Sequence, residues 1–161
     1  MKADVKPRQR NTSPSKERLR LWLRLLRATR AIESELRERL RLRFKITLPQ
    51  FDVMAALNRR ADGMSMTELS RMLLVSNGNV TGIIDRLVAD KLVMRRSDTA
   101  DRRSFMVRLT TKGQVQFLVI AKAHQEWVNK MLADFDNEET DLIIRHLDGL
   151  PSRIRNGGHR P

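Results

Sequence analysis

A mainly α fold carrying one small β-hairpin is what this sequence of 161 residues predicts. Three observations carry the prediction. Apolar residues recur at helical spacing through most of the chain, and capping residues stand before four of those stretches. The period changes to an extended pattern only across residues 92–109, around a polar loop.

Residues 1–14 read as a disordered basic arm, rich in Lys and Arg, interrupted by Pro7 and Pro14, and too poor in apolar residues to offset the entropy of ordering. One long helix is expected over 15–44, with Ser15 as its N-cap. Its buried stripe is Trp22, Leu25, Leu26, Thr29, Ile32, Leu36 and Leu40, and arginines fill the other faces. Leu48-Pro49 opens the next helix with proline in the first turn. Phe51, Met54, Ala55 and Leu57 supply its inner face, and Ala61-Asp62-Gly63 ends it. Ser65 and Glu68 fit a capping box for a short helix over 66–73, with Leu69, Met72 and Leu73 turned inward. Ser76 caps a helix over 77–90 that buries Val80, Ile83, Ile84, Leu87 and Val88.

Residues 92–96 and 104–109 are the strand candidates. Thr110 or Thr111 then caps a second long helix to about residue 132, with Gly113 in its first turn, a tolerated but slightly unfavourable place. A last helix is expected over 137–155. Its Ile143, Leu147, Leu150 and Ile154 are spaced four, three and four, which suits a seam against another helix, and Pro151 should kink its end. Two short helices joined by a tight turn and followed by a basic hairpin, residues 65–113, make the layout of a winged helix-turn-helix.

The net charge is +13 and the pI about 11.3. Residues 1–45 hold 15 Lys/Arg against 5 Asp/Glu and residues 95–112 hold 6 against 2, whereas residues 46–94 balance at 5 against 5. A polyanionic partner fits a surplus placed in this way, because neutralising phosphates releases condensed counterions. Absence of cysteine excludes disulfides and thiolate metal sites. Residues 1–15 have no secretory core and the apolar run 19–26 is broken by Arg20 and Arg24, so a cytoplasmic protein with no membrane partner is expected.

Enzyme chemistry finds no support. There is no Gly-rich phosphate loop, no nucleophile paired with a base, and the acidic cluster 134–141 reads as a loop and a helix N-terminus. His124, His146 and His159 share no ligand spacing, so neither a metal nor another cofactor is expected.

DNA recognition has its candidates at the start of the second helix of the motif. Asn77, Gly78, Asn79, Thr81 and Gly82 are the exposed residues there, with Asp85 and Arg86 one turn on. Asn pairs with adenine, Thr offers its methyl group to thymine, and Arg86 suits a phosphate. The glycines leave room for close approach of backbone to DNA. At the hairpin tip, Arg102 and Arg103 suit a narrow minor groove, and Asp101 can hold an arginine guanidinium in one rotamer. A ligand-responsive repressor and a non-specific architectural DNA-binding protein are both compatible with these features. They differ in how strongly one site is preferred over random DNA.

Asp98-x-x-Asp101-Arg102-Arg103, then Val107-x-Leu109-Thr110-x-x-Gly113, preceded by Ser76, Val80-Thr81 and Asp85-Arg86-Leu87, resembles the MarR family of winged-helix bacterial regulators. The resemblance covers about residues 18–155. It implies a homodimer whose first and last helices interlock, through residues such as Leu21, Leu25, Ile143, Leu147, Leu150 and Ile154, to present two winged modules to a pseudo-palindromic double-stranded DNA operator. It also implies that Arg103 enters the minor groove with Asp101 as its partner, while Asn77, Asn79 and Thr81 lie on the recognition helix. Positions 78 and 82 depart from the family's commoner serine or basic residues, so base-by-base specificity does not carry over.

Members of the family usually repress genes and release DNA when a small, often aromatic, ligand binds between the dimerisation region and the DNA-binding lobe. The chain looks similar to regulators of aromatic-acid catabolism, some of which answer to aromatic acyl-CoA thioesters. Trp22, Leu26, Arg30, Phe51, Met54, His124 and Trp127 are the effector-site candidates, an apolar slot with cations suited to an aromatic carboxylate or thioester. Arg20, Arg24 and Arg27 are placed to meet CoA phosphates. The division expected is an arm over 1–14, a dimerisation region over 15–45 and 112–156, a DNA-binding lobe over 46–111, and a flexible tail over 157–161.

Overall fold

Pro14 cannot continue a helix behind it, and the first helix accordingly starts there. In the computed structural model, which describes residues 13–97 and 105–157, α1 is Pro14–Phe44 with Ser13 as N-cap and proline in the first turn, so the expected cap at Ser15 gives way to the proline. Ion pairs at helical spacing, Arg37–Glu33, Arg39–Glu35 and Arg41–Glu38, line its polar faces. Only its C-terminal half packs: Leu36 and Leu40 are buried, while Trp22, at the head of the expected stripe, is 57% exposed.

Lys45 turns the chain through a left-handed conformation into α2, Leu48–Asn58. Thr47 and Gln50 form a reciprocal capping box: the Thr47 N–H donates to Gln50 Oε1 at 2.8 Å and the Gln50 N–H donates to Thr47 Oγ1 at 3.3 Å. That pairing is what lets Gln50 be buried. α2 is the central helix. It buries Val53 and Ala56 as well as the expected Phe51, Met54 and Leu57, because neighbours cover most of its circumference.

Gly63, at φ +92°, leads into a strand that periodicity does not reveal: β1, Met64–Ser65, too short to show an alternation. α3 follows at Met66–Leu73 with the expected Ser65–Glu68 capping box, then α4 at Asn77–Ala89, β2 at Val93–Ser97 and β3 at Phe105–Leu109. Met72 points to solvent, 47% exposed, and Leu69 alone in α3 is fully buried. The antiparallel sheet runs β1-β3-β2, with Met64 opposite Val107 and Val93 opposite Leu109. The expected two-stranded hairpin is therefore a three-stranded sheet.

α5, Thr111–Met131, is capped by Thr110, whose hydroxyl donates to Lys91 O at 2.8 Å and accepts from the Gly113 N–H at 2.9 Å. A Cβ on Gly113 would lie 1.9 Å from Leu92 O. Glycine is required there by close approach, not merely tolerated.

The last expected helix is two. α6, Asn137–Asp148, ends at Gly149, and α7, Leu150–Gly157, carries Pro151 in its first turn, where its missing N–H is harmless. Arg153 donates to His146 O in the last turn of α6 at 2.9 Å and to Gly149 O at 3.0 Å, an oxygen that also accepts from the Ser152 hydroxyl and the Arg153 N–H. One core unites α2 with the C-terminal half of α1, α3, α4, the sheet and α5.

Candidate nucleic-acid interface

The turn between α3 and α4 sets how the second helix is presented. Leu74 closes α3 in a left-handed conformation and is 91% exposed. The Ser70 hydroxyl donates to Val75 O at 2.6 Å across the turn, so the tight geometry is held by a side chain as well as by backbone. Ser76 then accepts from the Asn79 N–H at 3.3 Å and starts α4. Val80, Ile84 and Leu87 fix the rotation of α4 by burying one face, which turns Asn77, Gly78, Asn79, Thr81 and Gly82 outward.

Thr81 donates its hydroxyl proton to Asn77 O at 2.9 Å, leaving its methyl group and a lone pair for a partner. A Cβ added at Gly78 or Gly82 would meet no atom within 4 Å. An open groove of about 820 Å³ runs along this end of α4, with Gly78, Asn79 and Gly82 on one wall and Lys45 and Pro49 on the other. Arg86 lines the same groove and its guanidinium stands 3.9 Å from Asp90, too far for a close bond. The structure thus gathers the expected α4 residues on one exposed surface.

The ribbon of β2 and β3 leaves beside α4 and carries Arg95, Arg96 and Arg108. Ser97 pairs with Phe105 at its described end. Asp101, Arg102 and Arg103 lie outside the described residues. Sequence reasoning missed the contact from the ribbon to α4: Arg95 Nη2 donates to Asp85 Oδ1 at 2.5 Å. Residues ten apart in sequence and on different elements give no periodic signal for such a pair.

Of the effector candidates, Phe51 and His124 come together, rings stacked 4.5 Å apart at 22°. Burial holds the His124 pKa below its ordinary value of 6.5. Met54 is fully buried in the core. Trp127 packs against Phe44 at 6.0 Å beneath the Arg39 guanidinium. Trp22 and Arg30 are exposed on α1 and Leu26 is half-buried. Arg20, Arg24 and Arg27 border an open hollow of about 520 Å³ on the same helix.

Leu21, Ile143, Leu147, Leu150 and Ile154 are exposed, and Leu25 is half-buried. Among the described residues no group of three His, Cys, Asp or Glu side chains is arranged to hold a metal ion, and no helix is long and apolar enough to cross a membrane.

Comparison with known proteins places the architecture. Residues 44–104 match the model of the MarR family. The HTH-type transcriptional repressor YetL of Bacillus subtilis is 30% identical over 112 residues, which cover 70% of this chain and 64% of that protein. The transcriptional activatory protein BadR of Rhodopseudomonas palustris is 34% identical over 122 residues, 74% of this chain and 65% of that one. The chain thus spans just under two thirds of the length of these two curated relatives. Among solved structures, the MarR family transcriptional regulator from Silicibacter pomeroyi superposes with a TM-score of 0.75 at 30% identity, over 89% of this chain and 99% of that one.

Proposed function

The chain belongs to the MarR family, and from that premise we propose that it is a dimeric transcription factor that reads a pseudo-palindromic operator. α4 lies in the major groove of each half-site and the ribbon tip in the adjoining minor groove. The observation that carries this reading is the start of α4: Asn77, Asn79 and Thr81 stand exposed on a capped helix, interspersed with Gly78 and Gly82, which have open space over them. This end of the helix carries no charge of its own, so it suits base reading, while the N-terminal arm and the ribbon bring the cations that hold phosphates.

A dimer is supported by apolar side chains left without a partner in the N-terminal half of α1 and along α6 and α7. Repression relieved by a small aromatic carboxylate or acyl-CoA thioester is the form of regulation proposed. The arginine-rich hollow on α1, lined by Arg20, Arg24 and Arg27 with Leu23 between them, supports an effector of that chemistry by offering cations beside an apolar side chain.

The test is selection of a duplex from a random library, followed by competition at fixed salt. The selected inverted repeat is expected to outcompete random DNA by at least ~10³. A flat competition curve would replace the reading with an architectural DNA-binding protein. Release of the selected duplex is then measured against aromatic acids and their CoA thioesters. No release by any of them removes the effector assignment and leaves operator binding in place.

A further inference from the structure

Asp85 stands on the stripe of α4 that begins with Asn77 and Thr81, one turn apart in succession. A carboxylate on a surface that meets phosphates is a cost by charge alone. Here it is held by Arg95, whose Nη2 donates to Asp85 Oδ1 at 2.5 Å.

The strand geometry explains how Arg95 reaches it. Arg95 is opposite Val107 in the ribbon and, two residues from buried Val93, shares the sheet face that packs on the helices. Its stem leaves on that face and its guanidinium closes on α4. Beyond it the described ribbon ends at the Ser97–Phe105 pair, and residues 98–104, with Asp101, Arg102 and Arg103, join those ends.

We infer that the Asp85–Arg95 ion pair is a strut that fixes the angle between the recognition helix and the wing, making both residues positioning residues for operator binding. This rests on the DNA-binding reading above. At its base β2 is joined to α4 by the turn at Asp90, Lys91 and Leu92, in which Lys91 is left-handed, and by core packing of Leu92 and Val93 with Ile84 and Leu87; the Asp85–Arg95 pair ties the ribbon to α4 farther along the strand. A strand rises about 3.3 Å per residue, so a swing of roughly 10° about that turn moves the end of the ribbon by about 3 Å. A displacement of that size breaks hydrogen bonds made at the tip. An exposed ion pair adds little to global stability, so its consequence lies in orientation.

The strut and simple electrostatics predict opposite signs, which makes Asp85→Asn the decisive variant. By charge alone, removing a carboxylate from the DNA face tightens binding. As a strut, its loss weakens operator binding by about fivefold at fixed salt with the unfolding temperature unchanged. In an Arg103→Ala background, where the wing contact is already lost, the same substitution should cost less than about twofold. The charge-swapped pair Asp85→Arg with Arg95→Asp should recover most of the loss.

Binding by Asp85→Asn that equals or exceeds that of the parent chain overturns the strut. So does an undiminished loss in the Arg103→Ala background. Operator preference of the parent chain is read first: its absence removes the DNA-binding reading itself, whereas its presence with no weakening by Asp85→Asn removes the strut alone.

Discussion

Gly78 and Gly82 occupy an exposed helical face where a methyl group would touch nothing in the protein. Helix propensity favours alanine there by about 1 kcal/mol. Gly78→Ala is therefore expected to raise the unfolding temperature and, at the same time, to weaken operator binding, because the added carbon takes the space that DNA backbone needs. Anisotropy titration beside thermal unfolding checks both; unchanged affinity would show that nothing approaches closely at residue 78.

His124 offers a second test at this scale. Stacked on Phe51 and partly buried, its imidazole has a folded-state pKa below 6.5. The unfolded chain therefore takes up the proton first as pH falls. Stability should decline from about pH 6.5 downward until the buried ring itself protonates, and this group has no effect above that range. His124→Phe keeps a stacking ring without the titration, and denaturant unfolding between about pH 5 and 7 should show a shallower slope. An unaltered slope would place the pH dependence on other groups.

At single residues, the sequence revealed what depends on local phase. Ser76, Val80, Ile84 and Leu87 determine which side of α4 is exposed, and Asn77, Asn79 and Thr81 follow. It hid Arg95, because the pair with Asp85 needs strand register and sheet face together.

Elements show a similar division between local and distant causes. The box at Ser65 and Glu68 and the bounds of α3 were legible from four adjacent residues. The two-residue β1 was not, since it exists by pairing with β3, more than forty residues away in the chain. Gly113 joins both kinds of cause: helix propensity makes it a minor defect, while contact with Leu92 makes it necessary. The Thr110 N–H donates to Leu92 O at 3.0 Å and the Thr110 hydroxyl reaches Lys91 O, so the first turn of α5 is pinned to the entry of β2. Gly113→Ala forces a carbon against that carbonyl and should cost about 3 kcal/mol, as backbone must shift to make room. Chemical denaturation measures it. A cost below about 1 kcal/mol, the scale of a helix-propensity change, would mean the turn relaxes freely.

The molecule as a whole leaves apolar surface that its own core does not use on α1, on α6 and α7, and on α5 at Val115, Leu118 and Val119. Among the described side chains none of α6 or α7 belongs to the core, and the two helices pack on each other through the turn at Gly149 that Arg153 ties down. Leu142, Ile143, Ile144, Leu147, Leu150 and Ile154 remain exposed, as do Leu19, Leu21, Trp22 and Leu23 on α1. A single copy that exposes so much contiguous apolar side chain on helices is expected to bury it against a second copy. The heptad-like spacing in the C-terminal segment was readable as such a seam, but the break at Gly149 was not, because a proline in a first turn and a proline that kinks a helix look alike in sequence. Ending the chain after Phe135 removes α6 and α7 and leaves the core intact. The shortened chain should unfold cooperatively at nearly the original temperature, sediment as a monomer, and lose most of its operator affinity, since one half-site is then bound without the other. A shortened chain that still sediments as a dimer would place the interface on the exposed apolar stripes of α1 and α5 and make the C-terminal helices accessory to it.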